Sequence, residues 1–142
     1  MMAVPGVKIV SALAEHHIPQ LCALYREEWW TIRRDPENVK KMLNHSDAVV
    51  GLLDSRDRLV GFTRVLSDFT YKALILDVIV SMEWRGRGLG ILLLDTVMAH
   101  ETLKDIAHFE LYCQPEMESF YRKWGFQSEG GTLSFMRSLR HE

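Results

Sequence analysis

The chain has 142 residues, 47% of them hydrophobic, and carries 17 Lys and Arg against 19 Asp and Glu for a formal net charge of −2. That is enough apolar material for a single domain, expected over residues 1–142, with a full core of its own. The interspersed charge offers no basic field for nucleic acid and no polybasic membrane patch, and no apolar run reaches the length of a bilayer span.

Met1-Met2-Ala3-Val4-Pro5-Gly6 lacks the charged and apolar regions of a secretory signal, so a cytoplasmic protein is expected. Val7 to Ser11 alternates weakly and predicts a first strand. Ile18, Leu21, Cys22, Leu24 and Tyr25 form an apolar stripe at helical spacing, predicting a helix that runs to Trp29. Asp35-Pro36-Glu37 supplies an N-cap, a first-turn proline and an acidic first turn for a helix ending near Asn44. Ala48 to Leu53 and Leu59 to Leu66 predict a hairpin joined by Asp54-Ser55-Arg56-Asp57-Arg58. Lys72 to Val80 is apolar on both faces except at Asp77, as in a central strand covered on both sides. A long helix from Gly88 to about Leu103 follows, then a strand Phe109 to Cys113, a short helix holding Tyr121, and a last strand from Thr132 to Leu139. Cys22 and Cys113 fall on core elements and are expected to be buried, reduced thiols. The six histidines lack zinc-site spacing and are expected at the surface; no metal is expected.

The order β-α-α-β-β-β-α-β-α-β is α/β, with an antiparallel front half. The strands at Lys72 and Phe109 are joined by a helical crossover and should run parallel. Between them stands the most informative stretch, Arg85-Gly86-Arg87-Gly88-Leu89-Gly90, a glycine-punctuated turn from strand into helix. Its backbone N–H groups, unscreened by side chains and added to the positive end of the helix dipole, suit a phosphate or pyrophosphate. Arg85 and Arg87 add charge at the mouth. It is no P-loop, because Ile91-Leu92 stand where Lys-Ser/Thr would follow. Nor is it a dinucleotide turn, which would require glycine at Ile91 or Leu93.

The stretch resembles the R/Q-x-x-G-x-G/A acetyl-CoA pyrophosphate loop of the GNAT (Gcn5-related) N-acetyltransferases. Phe120-Tyr121-x-Lys123-x-Gly125-Phe126 is similar to that family's second signature, in the same order along the chain. The resemblance spans roughly residues 7–139. It implies the GNAT acyl-CoA N-acyltransferase fold: a mixed sheet, antiparallel in front with a parallel splayed pair behind, flanked by about four helices. It further implies acetyl-CoA as donor and an amine as acceptor, with direct attack in a ternary complex.

By the same resemblance, the Val78-Ile79-Val80 stretch pairs with pantetheine and a backbone N–H near Val80 polarises the thioester carbonyl. Arg85, Gly86, Arg87, Gly88, Leu89 and Gly90 hold the pyrophosphate. Tyr121 matches the general acid that protonates the departing sulfur, and Ser119 and Lys123 fall near pantetheine and the 3′-phosphate. The family's usual Asn-x-x-Ala is replaced by Gln114-Pro115-Glu116-Met117, which leaves Gln114 as the substitute pantetheine contact. Asp77, alone in an apolar strand, reads either as a general base with a pKa raised by desolvation or as a structural carboxylate. Asp68, Glu83 and a water chain are the other routes for the proton. Trp29 and Trp30 with acidic neighbours suit a cationic amine, and Arg64 and Asp68 complete the candidate acceptor residues. A small-molecule amine is the favoured acceptor, with a protein lysine as the alternative. A non-catalytic acyl-CoA-binding module and a homodimer remain open.

Overall fold

The computed structural model describes residues 3–128 and 132–140. Two compact units make up the chain, Met1–Tyr112 and Cys113–Glu142. The first contains five strands in the order β1-β2-β3-β4-β5: β1 (Lys8–Val10), β2 (Ala48–Leu53), β3 (Leu59–Ser67), β4 (Lys72–Val80) and β5 (His108–Leu111). β1 through β4 pair antiparallel, and β4 with β5 parallel, as the crossover between them requires. The helices of this unit are α1 (His17–Arg26), α2 (Pro36–Asn44) and α3 (Leu89–Met98).

Every residue of β2 is buried, which follows from helices packing against the sheet. Ile18, Leu21, Cys22 and Tyr25 of α1 join Val39 of α2 and Leu53, Leu59, Phe62 and Ile79 of the sheet in one apolar cluster. At about 2 kcal/mol for each large side chain, this cluster is what holds α1 in place. α3 buries Leu89, Leu92, Leu93, Leu94 and Val97 and packs on β2, β3 and β4. α2 begins as the sequence predicts, with Asn38 N–H donating to Asp35 Oδ1 at 2.9 Å. The β2–β3 turn is built by Asp54, whose Oδ1 accepts the backbone N–H groups of Arg56 and Arg58.

The expectations need correction at several ends. α1 stops at Arg26, not Trp29, because the Thr31 hydroxyl takes the Tyr25 carbonyl at 2.8 Å. α3 stops at Met98, not Leu103. Beyond it the His100 ring accepts the Thr102 N–H, and turns carry the chain to Leu103 and Ile106, both buried. β5 ends at Leu111, and Cys113 is exposed, not buried; Cys22 is buried as expected.

His17 is also buried, against expectation, and lies with His16 against Asp57. Ala14 N–H donates to His17 Nδ1 at 3.0 Å, which leaves the proton of the neutral ring on Nε2, facing Asp57 Oδ1 at 3.1 Å. Nε2 therefore presents a donor here rather than a lone pair for a metal ion, and the trio clasps α1 to the hairpin turn. No helix among the described residues is long and apolar enough to cross a membrane.

In the second unit, Pro115–Met117 and Arg122–Trp124 are single 3-10 turns around a short helix, α4 (Glu118–Tyr121). Gly125, at φ 87°, ends the run in the left-handed region, as its place after Trp124 predicts. The last predicted strand does not form: residues 132–140 are assigned to no strand, and Leu133, Phe135, Met136 and Leu139 are exposed.

Candidate active site

β4 and β5 stay in register only from Lys72↔His108 to Ile75↔Leu111. β4 then continues for five more residues, and from Leu76 to Val80 its edge away from β3 has no strand partner among the described residues. On the β3 side, the register slips between Phe62 and Arg64: Phe62 faces Ile79 while Arg64 faces Leu76. The extra residue on β4 is a bulge, and Asp77 within it sits at φ 55°.

At its end β4 turns through a 3-10 segment, Met82–Trp84, into the glycine stretch. Gly86 and Gly88 have φ of 78° and 86°, conformations that cost a residue with a Cβ about 1 kcal/mol or more. Gly88 is also the N-cap of α3 and has no side chain with which to bond the first turn. Gly88 therefore gives the N–H groups that open α3 no side-chain cap, which is the condition a phosphate cradle requires.

The arginines of this turn are less free than the sequence suggests. Arg85 Nη2 donates to Glu28 Oε1 at 2.7 Å, and its Nε donates to the Val80 carbonyl at 3.2 Å. Glu27 Oε1 accepts the Met82 N–H at 3.0 Å. Both glutamates after α1 are thus bonded to the turn that follows β4, and the Arg85 charge is largely offset. Arg87 lies over the Trp84 ring, 4.7 Å from its centroid.

Asp77 is not the base with a raised pKa that its apolar strand suggests. Burial pushes its carboxyl upward, but Arg34 Nη1 at 2.5 Å and Arg64 Nε at 2.7 Å outweigh burial and hold it below the usual carboxylate range. Tyr25 Oη donates to the same oxygen, Oδ2, at 2.9 Å. This is the structural carboxylate of the alternative reading, and three donors on one oxygen leave it a poor proton acceptor. Asp68 is similarly occupied: its Oδ1 accepts the N–H groups of Thr70, Tyr71 and Lys72, building the β3–β4 turn and lowering its pKa. Glu83 is exposed in the 3-10 segment. Trp29 and Trp30 are exposed as well, at 74% and 44%, and the acidic neighbours expected to draw a cation to them are the two glutamates already engaged. Arg34 and Tyr25 complete the Asp77 cluster; no motif marks either, and the sequence shows Tyr25 in a helical stripe and in the segment that the family resemblance assigns to the acceptor side.

Ser119, Tyr121 and Lys123 belong to the second unit. Tyr121 is buried, with Phe120 and Phe126 edge-on to its ring, and its hydroxyl pKa is pushed up to about 12, first by burial and then by Cys113. Ser119 is exposed, and Lys123 Nζ stands 4.6 Å over the Phe120 ring.

A mixed sheet whose parallel pair parts beside a bulged strand, followed by an uncapped glycine turn into a helix, defines an acyl-CoA N-acyltransferase fold. Residues 11–137 match the family model described as an acetyltransferase (GNAT) domain, and the chain belongs to that family. It is 33% identical over 114 residues to an uncharacterized N-acetyltransferase, ycf52, of Porphyra purpurea, covering 78% of this chain and 63% of that one. It is 32% identical over 112 residues to the chloroplastic serotonin N-acetyltransferase 2 of Oryza sativa subsp. japonica, covering 76% and 56%. The chain thus spans less than two thirds of the length of either relative. A crystal structure assigned to the GNAT family, from Xanthomonas campestris pv. campestris, superposes with a TM-score of 0.81 at 28% identity, covering 96% of this chain and 95% of that one.

Proposed function

We propose that the chain is an acetyl-CoA-dependent N-acetyltransferase acting on the primary amine of a small molecule by direct attack in a ternary complex. The observation that carries this reading is the open edge of β4 from Leu76 to Val80, running within one turn into the uncapped start of α3. An extended pantetheine arm can add to such an edge as a strand would, and its pyrophosphate meets the N–H donors after Gly88.

In this reading Val78, Ile79 and Val80 align the donor, and a backbone N–H near Val80 stabilises charge developing on the thioester oxygen. Holding both substrates together makes the attack effectively unimolecular. The acceptor ammonium, with a pKa of roughly 10 if it resembles lysine, has to lose a proton first. With Asp77 and Asp68 engaged elsewhere, solvent is the route we assign to that proton. The Tyr121 hydroxyl, fully protonated at neutral pH, gives its proton to the departing thiolate. A cytoplasmic location is part of the same proposal, resting on sequence composition alone.

Free thiol release from acetyl-CoA across a panel of amines, with calorimetric titration of acetyl-CoA, tests this reading. Binding with turnover on at least one small amine is expected. Absence of binding overturns it, and binding without turnover on any small amine or lysine peptide replaces it with a non-catalytic module.

A further inference from the structure

Positions 25, 34, 64 and 77 come from four different segments and meet at one carboxylate oxygen. Arg34 reaches Asp77 Oδ2 through Nη1, Arg64 through Nε and Tyr25 through its hydroxyl. Two guanidinium groups share one carboxylate, so the cluster retains one positive charge. No other carboxylate among the described residues lies within ion-pair distance of Arg34 or Arg64. Glu28 is held by Arg85, Glu27 by Met82 N–H, and Asp35 caps α2.

Each guanidinium has five N–H donors, and Asp77 takes only one from each. Arg34 Nη1 also approaches the Met42 sulfur at 3.8 Å, while Arg64 makes no other hydrogen bond to a described residue. No buried side-chain nitrogen among the described residues lacks a partner, so the remaining donors open to solvent. The Arg34 and Arg64 side chains are 32% and 13% exposed, against 3% for Asp77. Arg34 Cζ lies over the Tyr25 ring, 4.6 Å from its centroid, and with its bond to Asp77 this contact positions the fork.

The cluster also stands beside the reacting end of the proposed donor site. Asp77 immediately precedes Val78-Ile79-Val80, and at about 3.3 Å per strand residue Val80 lies within roughly 10 Å. An amine separated by a few bonds from an anionic group spans that distance.

We propose that Arg34 and Arg64, gathered on Asp77 at the β4 bulge, form an anion subsite, and that the acceptor amine carries a carboxylate or phosphomonoester group. The inference rests on the acetyltransferase reading and narrows its substrate class. The surplus positive charge repels polyamines and favours the neutral, attacking form of a nearby amine. Charge-assisted bonds from two planar forks hold the anionic end.

The test compares acceptors differing only in the anion: lysine with 1,5-diaminopentane, and glucosamine 6-phosphate with glucosamine. The first pair reads the carboxylate source and the second the phosphate. The anionic member of at least one pair is expected to have the higher kcat/KM by about tenfold or more. In Arg64→Gln the ratio within that pair falls toward one, whereas loss of a merely structural ion pair lowers both members alike and leaves the ratio unmoved. Arg34→Gln serves the same comparison if Arg64→Gln does not fold. A ratio near one in both wild-type pairs, or one unchanged in the variants, overturns the subsite. If no amine is acetylated, calorimetry with the same pairs in the presence of coenzyme A reads the preference without turnover. A retained preference then upholds the subsite and removes the transferase reading, while equal affinities overturn the subsite.

Discussion

Arg85 donates to Glu28 at 2.7 Å, and this bond joins the turn after β4 to the chain leaving α1. The sequence places Arg85 in the cradle motif as a charge for phosphate. In the structure its charge is matched by a glutamate 57 positions earlier, and its other bond goes to the Val80 carbonyl. Its contribution is therefore to the shape of the turn as well as to its charge.

Arg85→Ala is expected to weaken acetyl-CoA binding several-fold while changing stability by about 1 kcal/mol or less, since the pair is partly exposed, at 48% and 26%. Glu28→Gln, which frees the arginine, should lower affinity less than Arg85→Ala or raise it. Titration calorimetry beside thermal melts separates the two effects. Equal affinity in Arg85→Ala and wild type would remove Arg85 from the cradle.

At Gly88, alanine and aspartate probe different properties. Gly88→Ala introduces only a Cβ at φ 86° and should destabilise by about 1–2 kcal/mol. Gly88→Asp adds a carboxylate that caps the first turn of α3 itself and repels the diphosphate, so acetyl-CoA binding should be lost. Retained affinity in a folded Gly88→Asp protein would refute the cradle.

Asp77→Asn leaves Arg34 and Arg64 without their shared counter-charge and should destabilise the protein by roughly 3 kcal/mol. The native carboxyl is held below its unfolded value near 3.9, so its stabilisation is complete above that pH and lost as pH falls through the lower folded value. Melting temperature followed from pH 6 down to about 2 should fall more steeply for wild type than for Asp77→Asn. Parallel curves would mean that Asp77 is not the group that titrates.

Tyr121→Phe is expected to reduce turnover by about a hundredfold with acetyl-CoA affinity nearly unchanged. Because burial pushes the hydroxyl pKa up to about 12, the acid form persists through the alkaline range. A loss of wild-type turnover between pH 8 and 10 would therefore belong to another group, and the same limb should survive in the residual activity of Tyr121→Phe. Wild-type turnover in the variant at saturating substrates would exclude Tyr121 from proton transfer.

Where a segment's own residues decide its conformation, the sequence was sufficient. Asp35-Pro36 starts α2, Gly125 stops the Tyr121 segment, and the continuous apolar run of Lys72 to Val80 places β4, because capping, left-handed backbone and strand propensity act within a few residues. Boundaries set by distant partners were not legible. Thr31 shortens α1 by capturing a carbonyl six positions earlier, and Thr132 to Leu139, expected as a strand, is assigned to none.

The amino-acid sequence by itself determined the order of elements through β5, the parallel pair and the glycine turn into α3, since each is a property of local spacing. Only the tertiary structure decided what Asp77 does. A lone carboxylate in an apolar strand has the same sequence appearance whether it is a desolvated base or an ion-pair anchor. The difference lies in Arg34, Arg64 and Tyr25, brought to it by the packing of α1 against the sheet and the bulge in β4. Coulomb attraction and hydrogen bonding act over ångströms of space, not positions in the chain, so those contacts form only after the chain has folded.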